Sequence, residues 1–179
     1  MFDWMLVFRF LCHQMPARSP EFQGLQFPLC FRCAGFYGGL TLGYVSLAIQ
    51  GGFLRSFPSR RLALLAAALT FAYPLDGWAN ALRAWNSPAW VRSLTGLTAG
   101  VAITVLLLPL AGRLTFGRLS SLPNVGALLW PRCVGVGFIA VLTHLTSRVQ
   151  FELLAFWCTL GLGGLVTNLW LACMERGHG

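Results

Sequence analysis

Lysine is absent from this chain of 179 residues, and aspartate and glutamate together number only five. Charged residues make up 10% of the sequence, whereas a soluble domain carries roughly 25%. Hydrophobic residues reach 56%. The shortage of charge argues against an ordinary soluble domain, and the composition indicates a protein embedded in a lipid bilayer.

The balance of charge is also one-sided, because all thirteen basic residues are arginine and the net charge is +8. In a soluble protein, such an excess would indicate a nucleic-acid partner. Here the arginines fall between apolar stretches, where they set membrane topology and contact lipid headgroups. We therefore expect the lipid bilayer as the partner and no nucleic acid.

The N-terminal stretch lacks the basic start and the small-residue cleavage site of a signal peptide. Residues 1–11 are mostly apolar, and Trp4 and Arg9 suit the depth of the headgroups. We predict a short interfacial helix here, followed by a Cys/His-containing loop that reaches residue 29.

Five stretches are apolar enough to cross a bilayer, which takes about 20 residues. They cover residues 30–50, 61–80, 91–112, 123–146 and 151–174. The fourth is the least regular, because Pro131 and Arg132 interrupt it. The sequence predicts an all-α, polytopic membrane helix bundle with about five transmembrane helices. We treat residues 1–179 as one membrane domain, in which 1–29 precede a bundle formed by 30–174.

Glycine recurs every four residues in two of these stretches. The first carries Gly35, Gly39 and Gly43, and the third carries Gly96 and Gly100. This spacing makes a flat helix face that lets another backbone approach closely. We predict close helix packing, with room for a ligand beside the first helix as the alternative.

Five crossings would bring the unusual polar residues to the end of the bundle where the first helix begins. These residues are Cys12, His13, Arg18, Cys30, Arg32, Cys33, Asp76, Asn80, Arg83, Arg92, His144 and Glu152. Ionisable groups inside a membrane bundle are costly, usually face inward and are often functional. This end is therefore the candidate functional site.

Asp76, Asn80 and Arg83 follow the spacing i, i+4 and i+7, which places them on one helical face. An inward Asp76 needs a cationic partner, and we expect Arg83 or Arg92 to supply it. The group is either a structural ion pair between the second and third helices or a proton or substrate site. For His144 and Glu152, the simpler interpretations are an interfacial histidine and an acid near a helix start.

Cys12, His13, Cys30 and Cys33 lie close together in sequence at the start of the first apolar stretch. Zinc prefers four nitrogen or sulfur ligands in a tetrahedron, and C-x2-C is a frequent half-site. We predict that these four residues bind a metal, with zinc as the expected ion and iron as the alternative. Adjacent residues rarely bind one ion together, so His144 or water is the alternative fourth ligand.

The same C-x-x-C pair also suits thiol–disulfide exchange, with Cys12 as the resolving thiol. Arg32 and the start of the helix would favour the thiolate. The leading hypothesis is a metal-binding membrane protein that serves small-solute or ion transport. The alternatives are a membrane thiol–disulfide or quinone-linked oxidoreductase that uses Cys30 and Cys33, and an accessory subunit of a membrane complex. Catalysis is left open.

Arginine is slightly more frequent on the side of the bundle opposite the cysteines. By the preference of basic loops for the cytoplasm, we predict a multi-pass protein of the cell membrane with an extracytoplasmic Cys/His site. A second copy of the chain and a different membrane subunit are the alternative protein partners.

Two blocks of sequence resemble a known family. The first is Cys12-His13-Gln14, Arg18-Ser19 and Cys30-x-Arg32-Cys33-x-Gly35-x-Tyr37-x-Gly39, and it is similar to the opening of the domain of unknown function 2085 family. The second is Leu75-Asp76-Gly77, Asn86-Ser87, Arg92 and Gly96-x3-Gly100, and it is similar to that family's middle. The resemblance covers roughly residues 12–100. It implies a small prokaryotic integral membrane protein without an established activity.

Overall fold

A computed structural model describes residues 3–49, 58–116 and 148–176 of the chain. Its four long helices are α2 (Phe31–Ile49), α3 (Arg60–Ala81), α4 (Ala89–Phe116) and α5 (Arg148–Arg176). They are preceded by a short helix α1 (Trp4–Phe8), a 3-10 turn (Pro16–Arg18) and an antiparallel pair, β1 (Glu21–Phe22) and β2 (Leu25–Gln26). The described chain is therefore mostly helical, as predicted.

Four of the five predicted apolar stretches coincide with α2, α3, α4 and α5. The fourth stretch, residues 123–146, lies outside the described residues. Within the described part, α3 and the Ala89–Leu107 portion of α4 are long and apolar enough to cross a membrane. In α5, the apolar stretch whose side chains the structure describes is Leu153–Thr167. Among the described residues, the structure thus gives two candidate spans, fewer than the predicted five.

Helix α2 lies between α4 and α5, and glycine makes both contacts close. Gly39 of α2 faces the backbone of α4 at Leu97 and Gly100, and Gly161 of α5 faces the α2 backbone at Tyr37. A Cβ atom at any of these glycines would collide with a main-chain carbonyl group. The predicted close packing at these glycine faces is confirmed, and the structure shows that the faces of α2 and α4 pack against each other.

Helices α2, α4 and α5 run in the same direction. Along the α2–α4 contact, Gly35 meets Ser93 and Gly43 meets Thr104. Along the α2–α5 contact, the pairings advance from Ala34 with Cys158 to Tyr44 with Gly164, as they do between parallel helices. The end of α3 contacts the start of α2, so α3 is antiparallel to it. One end of the bundle therefore collects the starts of α2, α4 and α5 and the end of α3.

The segment before α2 covers this end of the bundle. Its buried side chains Phe8, Phe22, Phe27 and Leu29 join one apolar core with residues of α2 and α5. The turn between β1 and β2 has positive φ angles at Gln23 (50°) and Gly24 (79°), as expected for a two-residue hairpin turn. The predicted short N-terminal helix is present as α1, and its place at the membrane interface stays a prediction.

Helix α3 exposes most of its apolar surface. Five large apolar side chains on this helix are more than half exposed: Leu64, Leu65, Phe71, Leu75 and Trp78. A contiguous apolar face of this kind is unfavourable in water and marks a surface that contacts lipid or protein. Its presence agrees with a membrane location.

Candidate metal centre

Three thiols converge where the N-terminal segment enters α2. Cys12 lies in the loop after α1, Cys30 immediately precedes α2, and Cys33 is in the first turn of α2. Their Sγ atoms all lie within 4.8 Å of one another. Zinc–sulfur bonds of about 2.3 Å in a tetrahedron give sulfur separations of about 3.8 Å, so small side-chain movements suffice for a shared ion.

The sequence explains how the three thiols meet. Residues three apart at a helix start face the same way, which aligns Cys30 with Cys33. The backbone N–H of Cys30 donates a hydrogen bond of 3.3 Å to Sγ of Cys12 and so holds the loop against the helix. All four cysteines whose side chains the structure describes are free thiols. The fourth, Cys158, is buried in the apolar core.

Hydrogen bonds among the three thiols shift the pKa values of Cys12 and Cys30 in opposite directions. Hydrogen bonds from Cys30 and then Cys33 lower the pKa of Cys12 to about 2, although burial opposes this change. The hydrogen bond to Cys12 raises the pKa of Cys30, because ionisation would remove the proton that it donates. These hydrogen bonds therefore favour the thiolate form of Cys12 and the thiol form of Cys30. A metal ion would displace the remaining thiol protons.

His13 lies next to the thiols but is not part of their cluster. Its side chain is exposed, and the three converging ligand atoms all come from cysteines. It lines a cavity of about 170 Å³ that also borders the three cysteines and Arg18, Arg32 and Arg92. The structure thus gathers three of the four predicted metal ligands. A role for His13 as the fourth ligand stays a prediction.

Arg32 and Asp76 form an ion pair between α2 and α3. Nε of Arg32 donates to Oδ2 of Asp76 at 2.9 Å, and Nη2 donates to the same oxygen and to the Asp76 carbonyl oxygen. The relative side-chain exposures are 16% and 9%. The prediction that Arg83 or Arg92 would pair with Asp76 is therefore wrong. The antiparallel packing of α3 brings Asp76 to the first turn of α2, where Arg32 is nearer.

Asn80 connects this pair to α4 through a buried polar network. Its Nδ2 donates to the Asp76 carbonyl oxygen at 2.7 Å and to Oγ of Ser87 at 2.8 Å. Nη2 of Arg92 donates to Oδ1 of Asn80 at 3.0 Å and to Oδ1 of Asn86 at 2.9 Å. Nε of Arg92 donates to Oγ of Ser87. The network therefore fixes the α3–α4 turn and the direction of the Arg92 side chain.

The spacing predicted that Arg83 shares a helical face with Asp76 and Asn80, but in the structure it does not. Helix α3 ends at Ala81, and Arg83 is exposed with a φ of 57°. A left-handed residue just beyond a helix is a common way of ending it, usually with glycine. The helical period no longer applies there, so Arg83 ends the helix rather than facing the site.

Two of the remaining candidates are not placed by the structure. His144 lies outside the described residues, and Glu152 is on α5 with its side chain outside the described part. Their roles stay predictions. By contrast, Tyr73 was missed: its hydroxyl group is 3.8 Å from Sγ of Cys33, and its ring packs on Phe36. The signal that could have found it is its position three residues before Asp76, on the same helical face.

The family model and the relatives found by comparison match the part of the chain that contains this site. The family model described as "Predicted membrane protein (DUF2085)" matches residues 12–106, which include the three thiols and the Arg32–Asp76 pair. An uncharacterized protein of Methanothermobacter thermautotrophicus is 35% identical over 100 residues, covering 55% of this chain and 86% of the relative. An uncharacterized protein of Methanocaldococcus jannaschii is 28% identical over 108 residues, covering 58% of this chain and 65% of the relative. No solved structure matches the chain.

Proposed function

The chain belongs to the DUF2085 family of predicted membrane proteins, and on that premise we propose that Cys12, Cys30 and Cys33 bind one metal ion at the mouth of the helix bundle. The observation that carries the proposal is the convergence of the three Sγ atoms within 4.8 Å. Thiolate ligands favour zinc, and iron is the alternative ion. We propose that the protein is embedded in the lipid bilayer when it binds this ion.

The fourth coordination position would be open to the adjacent cavity. Three protein ligands with one exchangeable position are typical of zinc sites that bind water or a solute. His13 borders the same cavity and is the proposed alternative occupant of this position, as is His144. The site would thus bind a small solute directly at the ion.

Small-solute or ion transport is the role that we propose for this site. Its support is the cluster of ionisable residues at one end of an apolar bundle. The parallel directions of α4 and α5 also support five crossings, because the chain has to return from the end of α4 to the start of α5. From the slight excess of arginine on the opposite side of the bundle, we propose that the cysteine cluster is extracytoplasmic.

Thiol oxidation is the second candidate function. It is favoured by the free C-x-x-C thiols of Cys30 and Cys33 beside the thiolate of Cys12. Formation of a Cys30–Cys33 disulfide would release two electrons and two protons, for which a quinone in the membrane is the proposed acceptor. A role as an accessory subunit, or a homo-oligomer, is supported only by the exposed apolar face of α3.

Elemental analysis of the purified full chain, combined with a count of free thiols, tests these candidates. About one zinc ion per chain, lost in Cys30→Ser and kept in Cys158→Ser, is the result expected from the metal proposal. Cys158 is a matched control because it is a free, buried thiol outside the cluster. Protein without metal that contains a Cys30–Cys33 disulfide would instead support the oxidoreductase.

A further inference from the structure

The cavity beside the thiols is lined by three arginines, and an ion pair engages one of them among the described residues. Arg18, Arg32 and Arg92 reach it from three different elements: the 3-10 turn, α2 and α4. Among the described residues, one ion pair is formed, and it engages Arg32 with Asp76. Even with a thiolate at Cys12, three guanidinium groups face one carboxylate and one thiolate. The wall of the cavity is therefore positively charged.

Arg92 is the most buried of these three arginines. Its side chain is 9% exposed, and the acceptors that hold it are the neutral oxygens of Asn80, Asn86 and Ser87. Burying a cation is costly unless an opposite charge compensates for it. The network orients the guanidinium group at the cavity, and the Asp76 carboxylate that acts on it is already paired with Arg32. An anion in the cavity would supply the compensating charge.

The geometry of the cavity indicates which kind of anion fits. A volume of about 170 Å³ is small, and it accommodates a compact anion rather than a large apolar molecule. Guanidinium N–H groups form strong, charge-assisted hydrogen bonds with oxyanions. Three such groups arriving from three elements suit an anion with oxygens in several directions, whereas a planar carboxylate presents only two. The match is to a tetrahedral oxyanion.

We propose that this cavity binds a phosphate group, either inorganic phosphate or the phosphate of a lipid headgroup, through Arg18, Arg92 and Arg32. The inference goes beyond metal binding, because the arginines carry it whether or not the thiols hold an ion. Arg32 contributes from its place in the ion pair, and Arg92 from its buried network. Arg18 contributes a third guanidinium group from the 3-10 turn of the N-terminal segment.

Calorimetric titration of inorganic phosphate into the purified full chain in detergent tests the proposal, with acetate at equal ionic strength as the comparison anion. Arg18→Gln should weaken phosphate binding by about tenfold or more, because it removes charge-assisted hydrogen bonds. Arg9→Gln is the matched control, since Arg9 is exposed in the same segment and does not line the cavity. No binding by the wild type, or equal affinities in the two variants, would overturn the proposal.

Two further arms separate the source of the phosphate and the contribution of the metal. Binding of inorganic phosphate is measured in phosphatidylcholine vesicles with and without phosphatidic acid. If phosphatidic acid abolishes binding in an Arg18-dependent way, the ligand is a lipid headgroup. If phosphate binds in both kinds of vesicle, the ligand is the free anion. Metal content is measured on the same samples. A folded variant with Cys12, Cys30 and Cys33 all changed to Ser should lack metal and still bind phosphate. If it loses phosphate binding, the anion is a ligand of the thiol-bound ion and the arginine site is wrong.

Discussion

Arg32 of α2 donates two hydrogen bonds to the same carboxylate oxygen of Asp76 in α3, and it does so from a position between Cys30 and Cys33. The residue that ties the two helices together is thus flanked by two of the three clustered thiols. We therefore expect a change in the α2–α3 contact to alter the positions of the neighbouring thiols.

Asp76→Asn should destabilise the protein, because Arg32 then keeps a largely buried charge without a counter-charge. Removal of one partner from a buried pair costs roughly 3–5 kcal/mol. The thermal unfolding of the detergent-solubilised protein measures the change. Glu21→Gln, at an exposed acid, is the control and should have little effect. Equal stability of Asp76→Asn and the wild type would show that the pair is not buried in the membrane protein.

Cys30→Ser should remove the bound metal and lower the unfolding temperature sharply. Metal binding to the folded chain adds to its free energy of unfolding, and two thiols hold the ion poorly. The measurement is metal content by elemental analysis together with the unfolding temperature in the presence and absence of a chelator. If the chelator leaves the unfolding temperature of the wild type unchanged, the thiols bind no structural metal.

The metal-free protein should gain stability from Cys12 as the pH rises from about 2. The pKa of Cys12 is lowered in the folded state, chiefly by the hydrogen bond from Cys30, relative to an ordinary value of 9.0. A lowered pKa stabilises the fold fully above the ordinary value, and this contribution disappears as the pH falls through the folded value. Thiolate absorbance in the ultraviolet should persist at pH 5 and vanish in Cys12→Ser. Its absence from the wild type at pH 5 would contradict the lowered pKa of Cys12.

Gly39→Ala should weaken the contact between α2 and α4, since the added Cβ meets the Leu97 carbonyl group. Overpacking of this kind costs roughly 1–3 kcal/mol. Gly163→Ala on α5 is the matched control, because nothing lies within 4 Å of its Cβ position. The control should be neutral or gain up to about 1 kcal/mol from helix propensity. Similar unfolding temperatures for both variants would rule out the tight contact.

The five-crossing topology predicts that Ser56, Ser120 and Gly179 all lie on the side opposite Cys30. These three positions lie outside the described residues, so labelling is the direct test. Single cysteines at each position, in a background without native cysteines, are exposed to a membrane-impermeant reagent from either side. Labelling of Gly179 and Ser56 from opposite sides would contradict five crossings and remove His144 and Glu152 from the site.

Much of the helical architecture could be read from the sequence, because apolar length and glycine spacing are local properties. The stretches around α2 and α4 were found from hydropathy, and glycine at every fourth position predicted that each packs closely on another helix, without showing which one. The partner of Asp76 could not be found in this way. Spacing along one helix placed Asp76 near Arg83, but the helix ends at Ala81 and the nearest cation comes from another helix.

By itself, the sequence determined the membrane class, the helices and the three cysteines, since each follows from composition or from neighbouring residues. Only the tertiary structure decided that Cys12 joins Cys30 and Cys33 while His13 does not, and that Arg92 is held by neutral oxygens beside a cavity. These relationships depend on how an N-terminal loop and three helix ends pack together. Residues far apart in the chain meet there, and the side-chain directions that bring them together are set by packing rather than by spacing.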